Sequence, residues 1–262
     1  MPVPLRPFIE AAFAAAAVVS LASSSPAQPQ PTVLSADCRA PANDIASSAP
    51  LPRVSAALQR NARLRILAIG SSSTVGVGAS SPRTTYPAQF EEILAKALNG
   101  FDIEVVNRGI SGEIAAQTAE RLKAEVETLK PDLVLWQVGT NDALRGVPVW
   151  QFEATVLDVV RWLKDGRADV VLVGLQYTPR YSRDDHYALI RQGIQRIATS
   201  ENVLLVRRFD AMQFIARTRQ SLEMLSADAL HLNDLGYHCM AEHVAQAVVS
   251  SLFLRRPASP TP

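Results

Sequence analysis

Five short apolar runs separated by helix-length stretches constrain this chain more than any other feature. The runs are Leu64–Ile69, Ile103–Val106, Leu133–Val138, Val170–Leu175 and Val203–Val206. Each is rich in Val, Ile and Leu, as in a strand buried on both faces. Between them Pro87–Leu98, Ala115–Leu129, Trp150–Lys164 and Tyr187–Thr199 carry helical periodicity. A last helix spans Asp234–Leu252, with Asn233 as its N-cap. Pro87 suits a first helical turn, and Asn99-Gly100 suits the end of the same helix. Such strand–helix alternation with short connections predicts an α/β fold: a five-stranded parallel sheet with right-handed crossovers and helices on both faces. With 262 residues and 48% hydrophobic content, the chain can bury a substantial core, and one domain over 63–255 is the economical reading.

The N-terminus differs in kind. Arg6 is followed by the Ala/Val-rich run Phe8–Leu21, interrupted only by Glu10, and then by Ser23-Ser24-Ser25-Pro26-Ala27. Small residues at Ser25 and Ala27 suit cleavage before Gln28, so 1–27 reads as a signal peptide and the protein as exported, to the periplasm or beyond. An uncleaved anchor or a plain tail is the alternative. The run is too short to span a bilayer and no later segment is long and apolar enough, so no stable membrane insertion is expected after cleavage. Residues 28–62, rich in Pro, Ala and Ser, read as an arm or linker with a short helical piece around Val54–Arg60, and 256–262 as a tail. A net charge of +1 makes no case for nucleic acid or an anionic membrane. Cys38 and Cys239 are an even pair. In an oxidising compartment they can form one disulfide tying the arm to the last helix; otherwise they are two unrelated thiols.

In a parallel sheet the loops beyond the strands' carboxyl ends open on one side, where ligands bind. Here they read Gly70-Ser71-Ser72-Ser73-Thr74, Asn107-Arg108-Gly109-Ile110-Ser111-Gly112 and Gly139-Thr140-Asn141-Asp142, while Asp228-Ala229-Leu230-His231 precedes the last helix. A hydroxyl, a glycine amide, a carboxamide and an Asp/His pair suit acyl transfer. Serine needs a base to take its proton, and His does so near neutral pH when a carboxylate holds its other ring nitrogen. The oxyanion needs preorganised donors, which the Ser72 and Gly109 N–H groups and the Asn141 carboxamide can supply. Ser71 and Ser73 compete with Ser72, separated by motif register alone. Taken singly, Asn141 is also an ordinary turn residue, and Asp228 and His231 also suit a helix cap.

Together these residues resemble the SGNH/GDSL hydrolase superfamily. Its Gly-Asp-Ser-Leu block corresponds to Gly70–Ser73, with Ser71 for the usual Asp and Ser73 for the usual Leu. Its Asn-x-Gly-x-Ser-Gly block is met by Asn107–Gly112, its Gly-x-Asn-Asp block by Gly139–Asp142, and its Asp-x-x-His block by Asp228–His231. The resemblance covers about Leu64 to Leu252. It implies a three-layer α/β/α sandwich on a flavodoxin-like sheet, with Ser72 as nucleophile, His231 as base, Asp228 orienting it, and Ser72, Gly109 and Asn141 forming the oxyanion hole. It implies an ester hydrolase without cofactor or metal, acting on a small-molecule or polysaccharide ester.

Other chemistries fit less well. Gly76-Val77-Gly78 lacks the third glycine of a dinucleotide fingerprint, and no Gly-Lys-Ser/Thr follows. His238 and His243 are five apart on a helix and do not share a face for a metal. Arg180, Arg183, Asp184, Asp185 and His186 read either as a solvated loop or as a substrate-facing one. The polar strand-end loops lean towards short acyl groups on a carbohydrate. Lipase, lysophospholipase, thioesterase and acyltransferase activities, and a non-catalytic binding domain, are the alternatives.

Overall fold

The computed structural model describes residues 34–220 and 223–253, together with Met1. The chain divides into Met1–Gln30 and Pro31–Pro262, and everything below concerns the second unit. The expected signal peptide, beyond Met1, and the 256–262 tail lie outside the described residues. No described helix is long and apolar enough to cross a membrane.

Strands β1 (Leu64–Gly70), β2 (Ile103–Gly109), β3 (Leu133–Gln137), β4 (Asp169–Val173) and β5 (Leu204–Val206) form one parallel sheet ordered β2-β1-β3-β4-β5. The helices are α1 (Ala42–Ile45), α2 (Pro52–Gln59), α3 (Ser72–Val75), α4 (Tyr86–Ala97), α5 (Ala115–Leu129), α6 (Thr140–Leu144), α7 (Val149–Lys164), α8 (Asp185–Ser200), α9 (Arg208–Thr218) and α10 (Asp234–Leu252). Alternate strand residues feed two separate cores. Leu64, Ile66, Leu133, Leu135, Val171, Val173, Leu204 and Val206 pack on one face with α2, α4, α9 and α10. Leu67, Ile69, Val134, Trp136, Val170, Leu172 and Leu205 pack on the other with α5, α7 and α8. Burial on both faces explains why the strands read as continuous apolar runs. The α/β three-layer architecture therefore stands as expected.

Helices α1, α3, α6 and α9 were not legible. Helices α1, α3 and α6 are four or five residues long, too short for periodicity. Helix α9 did carry a signal, since Phe209, Met212 and Ile215 recur every three residues and are buried.

The segment read as a linker is part of the domain from residue 34 onward. Ile45, Ala49, Leu51 and Val54 are buried, and the segment covers the open edge of β5. Ser47 N–H donates to Leu205 O (2.9 Å), Leu205 N–H to Ser47 Oγ (2.9 Å) and Arg207 N–H to Ile45 O (2.7 Å). Its few apolar anchors follow neither a helix nor a strand period, so no pattern revealed them. At the opposite edge, Glu91 Oε2 accepts the Val105 N–H of β2 (2.6 Å). The β5 edge is thereby covered against pairing with another chain, and one donor of the β2 edge is satisfied within the chain.

Helix α10 clips the start of this segment. Cys38 and Cys239 are bonded to each other, with Cα atoms 4.9 Å apart and 201 residues between them in sequence. A cross-link of this reach restricts the unfolded chain by roughly 2–5 kcal/mol. Glu242 Oε2 accepts from Ser35 N–H (2.8 Å) and Ser35 Oγ (3.0 Å). His243 Nε2 lies 2.7 Å from Cys38 O, to which it donates. Burial pushes the His243 ring down to about 4, against the pull of the Cys38 carbonyl.

That depression fixes a sign. Between the ordinary 6.5 and about 4 the unfolded chain binds a proton that the folded ring refuses, so stability falls as pH falls through this window. His243→Gln retains a donor for Cys38 O but cannot titrate. Its free energy of urea unfolding should decline less steeply from pH 6.5 to 4 than that of the wild type; parallel curves would contradict the linkage.

Candidate active site

The reversal of strand order between β1 and β3 opens a crevice at their carboxyl ends, the usual ligand position in such sheets. β1 delivers the triple serine there and β3 delivers Gly139–Asp142. Helix α3 begins at Ser72, so the three hydroxyls point in different directions. Ser72 Oγ lies 3.0 Å from His231 Nε2. Ser71 Oγ instead donates to Gln137 Oε1 (3.0 Å), and Ser73 Oγ to Gln176 Oε1 (3.2 Å). Tertiary contacts thus separate three residues that sequence separated by register alone.

The remaining groups come from the loop before α10. His231 Nδ1 lies 2.5 Å from Asp228 Oδ2. Asp228 Oδ1 accepts the Leu230 and His231 amides, both at 2.9 Å, and the Ser226 hydroxyl at 2.8 Å. Burial alone would raise the Asp228 carboxyl. The hydrogen bonds from the His231 ring, the two amides and Ser226 outweigh it and hold the group well below the usual carboxylate range. An ionised Asp228 fixes the ring so that Nδ1 carries the proton and Nε2 is left to accept one from Ser72. Asn233 Oδ1 caps α10 through Gly236 N–H (2.9 Å), which anchors the end of this loop.

Asn141, near the start of α6, donates from Nδ2 to Glu113 O (2.8 Å), and its second amide hydrogen has no acceptor among the described residues. Asp142 behind it is buried and accepts the Ala115 N–H (2.9 Å), tying α6 to the start of α5. Arg121 grips Glu113 (2.6 Å) and donates to Gly70 O (3.3 Å). The loops after β1, β2 and β3 are therefore cross-braced.

Gly109 departs from its expected place among the oxyanion donors. Its N–H already donates to Asn107 Oδ1 (2.9 Å), while Asn107 Nδ2 donates to Thr74 O (2.7 Å). Glycine is required there for packing, because a Cβ would stand 2.3 Å from Val75 N and 2.7 Å from Thr74 C. By contrast, the Ser72 and Gly112 N–H groups have no acceptor among the described residues. Gly112 directly precedes Glu113, whose carbonyl holds Asn141.

Sequence reasoning also missed Gln137 and Gln176. Gln137 Oε1 accepts Ser71 N–H (2.9 Å) as well as its hydroxyl, and both glutamines are buried. Only their location at or just beyond the ends of β3 and β4 hinted at a role. In the charged loop, Asp184 caps α8 by accepting Tyr187 N–H (2.7 Å), and Arg180 lies 5.3 Å from the Tyr181 ring centre. No group of three or more His, Cys, Asp or Glu fit for a metal occurs among the described residues.

Gly109→Ala should displace α3 and cost about 1–3 kcal/mol through overpacking, with activity falling alongside. Thermal unfolding checks it: an unchanged Tm would mean that α3 does not depend on this close approach.

The chain is similar in sequence and in fold to known ester hydrolases. The non-GDSL lipase-like family matches residues 37–253, a description consistent with Ser71 and Ser73 at the Gly-Asp-Ser-Leu positions. An arylesterase of Vibrio mimicus is 28% identical over 200 residues, which is 76% of this chain and 94% of the relative. Esterase TesA of Pseudomonas aeruginosa is 32% identical over 123 residues, 47% of this chain and 60% of that protein. Among solved structures, TesA aligns with a TM-score of 0.61 at 26% identity, over 71% of this chain and 99% of that one. A two-domain esterase active on acetylated mannans aligns at 0.68 and 22% identity, over 84% of this chain and 60% of that one, a likeness of fold. On the match over 37–253, borne by the SGNH/GDSL architecture and by relatives that are ester hydrolases, this chain belongs to the non-GDSL lipase-like family.

Proposed function

We propose that this protein is an exported serine esterase that removes short acyl groups from a carbohydrate or another polar alcohol. The observation that carries the reading is the chain from Ser72 Oγ to His231 Nε2 (3.0 Å) and from His231 Nδ1 to Asp228 Oδ2 (2.5 Å). His231 takes the Ser72 proton as Oγ attacks the ester carbonyl. Ser72 N–H, Gly112 N–H and the second Asn141 amide hydrogen receive the oxyanion. Collapse of the tetrahedral intermediate expels the alcohol, which leaves with the proton from His231, and the acyl group stays on Ser72. Water then attacks, giving its proton to His231, and a second collapse releases the acid and restores Ser72.

Export rests on the composition of 1–27, and the carbohydrate on the polar strand-end loops. Fold likenesses to an esterase active on acetylated mannans and to an acetyl xylan esterase of Geobacillus stearothermophilus (24% identity, TM-score 0.60) are compatible with it. One observation favours a second reading, an apolar acyl chain. A cavity of about 270 Å³ lies beside the catalytic loop, lined by Tyr177, Pro179, Met212, Met224, Leu225 and Ala229 among others.

Hydrolysis of p-nitrophenyl acetate, butyrate and octanoate decides between them. Acetate should be the best substrate, with burst kinetics, and Ser72→Ala should lower kcat/KM by at least about 10³-fold. A clear preference for octanoate would support the apolar reading, and activity retained in Ser72→Ala would remove the assigned nucleophile.

The pH profile supplies a further check. Because Asp228 is held well below the ordinary carboxylate range, it stays ionised wherever the enzyme works. It should therefore add no limb of its own to the profile, and on the acid side log kcat/KM should fall with a slope no steeper than one. A slope of two would show that Asp228 titrates in the same range.

A further inference from the structure

Gln176 lies three residues beyond β4 and is 1% exposed. Its carboxamide stands between two segments from opposite ends of the domain. On one side Oε1 accepts the Ser73 hydroxyl (3.2 Å), the residue after Ser72. On the other, Nε2 donates to Leu230 O, the carbonyl of the peptide that carries the His231 nitrogen. A main-chain carbonyl can only accept, so the amide has one workable orientation, with Nε2 towards Leu230 and Oε1 towards Ser73. The stretch that carries Gln176 is itself held. Tyr187 OH donates to Gln176 O (2.6 Å), and the buried Arg208 donates from Nε to Gly174 O (3.1 Å).

We propose that Gln176 is a positioning residue that sets the separation of Ser72 Oγ and His231 Nε2, by holding the helix of one and the loop of the other on a single carboxamide. The proposal rests on reading those two residues as nucleophile and base. Ser72 and His231 are 159 residues apart, so their 3.0 Å approach depends on contacts between segments and not on local geometry. Loss of the bridge leaves a buried hydroxyl and a partly buried carbonyl unpaired, and relief of that penalty requires the two segments to move. Proton transfer in the triad is sensitive to such movement, where a displacement of about 1 Å can cost about 10²-fold.

The test measures how fast the protein takes up a diisopropylphosphoryl group from diisopropyl fluorophosphate. In that reaction a bond forms from Ser72 Oγ to phosphorus, the P–F bond breaks, fluoride leaves and His231 takes the proton. Mass spectrometry locates the adduct, and kcat and KM for p-nitrophenyl acetate are measured in parallel. Gln176→Met keeps length and volume and removes both hydrogen bonds. It should slow labelling and kcat about 10- to 100-fold with KM little changed. Ser73→Ala should lose less, and the double variant no more than Gln176→Met, since both act on one bridge.

Gln176→Glu gives a signature that a purely structural role would not. A protonated Glu can donate to Leu230 O, whereas an ionised one only repels it, and burial raises the carboxyl pKa. The ratio of variant to wild-type labelling rates should therefore rise as pH falls. Wild-type labelling in folded Gln176→Met, or a flat ratio for Gln176→Glu, overturns the proposal; the second also decides the matter if Gln176→Met fails to fold. Failure of the wild type to take the group at Ser72 would instead overturn the nucleophile itself, and is recognised because it appears in the unaltered protein.

Discussion

The order β2-β1-β3-β4-β5 is the constraint on which the rest of the structure depends. Every strand in a parallel sheet ends on the same side, but the crossover leaving β1 and the one leaving β3 run in opposite directions. Their first turns diverge, and the gap between them is open without any side chain having to create it. β1 runs straight into Ser72 and β3 runs through Gly139 to Asn141. The sheet is buried on both faces by two separate cores, so these two chain ends stand on the most rigid part of the molecule. Rigid placement is what an oxyanion donor requires, because its contribution depends on being in position before charge develops.

The third contributor reaches the crevice by another route. Asp228 and His231 lie on a loop that no strand delivers, and helix α10 fixes its far end through the Asn233 cap. Helix α10 is buried along most of its length. About two to three turns beyond the loop, the same helix holds Ser35 and Cys38 through Cys239, Glu242 and His243. The clip on the N-terminal segment and the seat of the proposed general base therefore share a single element. Segment 34–62 in turn shields the β5 edge, so the cross-link protects the sheet as well as the loop.

Uncharged side chains do much of the bracing around the candidate site. Gln137, Gln176, Asn107 and Asn141 each carry a carboxamide, which accepts at one end and donates at the other. Such a group can join two segments in a buried setting without the desolvation cost of an ion. The pairing of Gln137 with Ser71 shows what this allows. Ser71 is 5% exposed, and both its N–H and its hydroxyl donate to Gln137 Oε1. An ionised Asp in that place would set a carboxylate against an acceptor. The departure from the Gly-Asp-Ser-Leu pattern at Ser71 is thus matched by its neighbour on β3.

The sequence by itself determined the layers, the parallel strands, the long helices and the loops that gather at the strand ends. These follow from local composition and period, which burial on both faces of a strand or one face of a helix imposes directly. It also singled out Ser72 and Asn141 in those loops, and Asp228 and His231 just before the last helix. Only the tertiary structure decided which of three adjacent serines faces His231, because that depends on Gln137 and Gln176, distant in sequence and without a pattern of their own. Gly109 shows the same limit from the other side. Its place in a motif marked it as special, but whether its N–H was free or its missing side chain mattered was settled by the approach of Val75 and the acceptor on Asn107. Residues 34–62 read as a linker because their anchors are few and aperiodic. They became part of the domain through an unpaired strand edge and a helix lying more than a hundred residues away. Period and composition are local properties of the chain, whereas hydrogen-bond satisfaction and close packing belong to pairs of segments that only the folded molecule brings together.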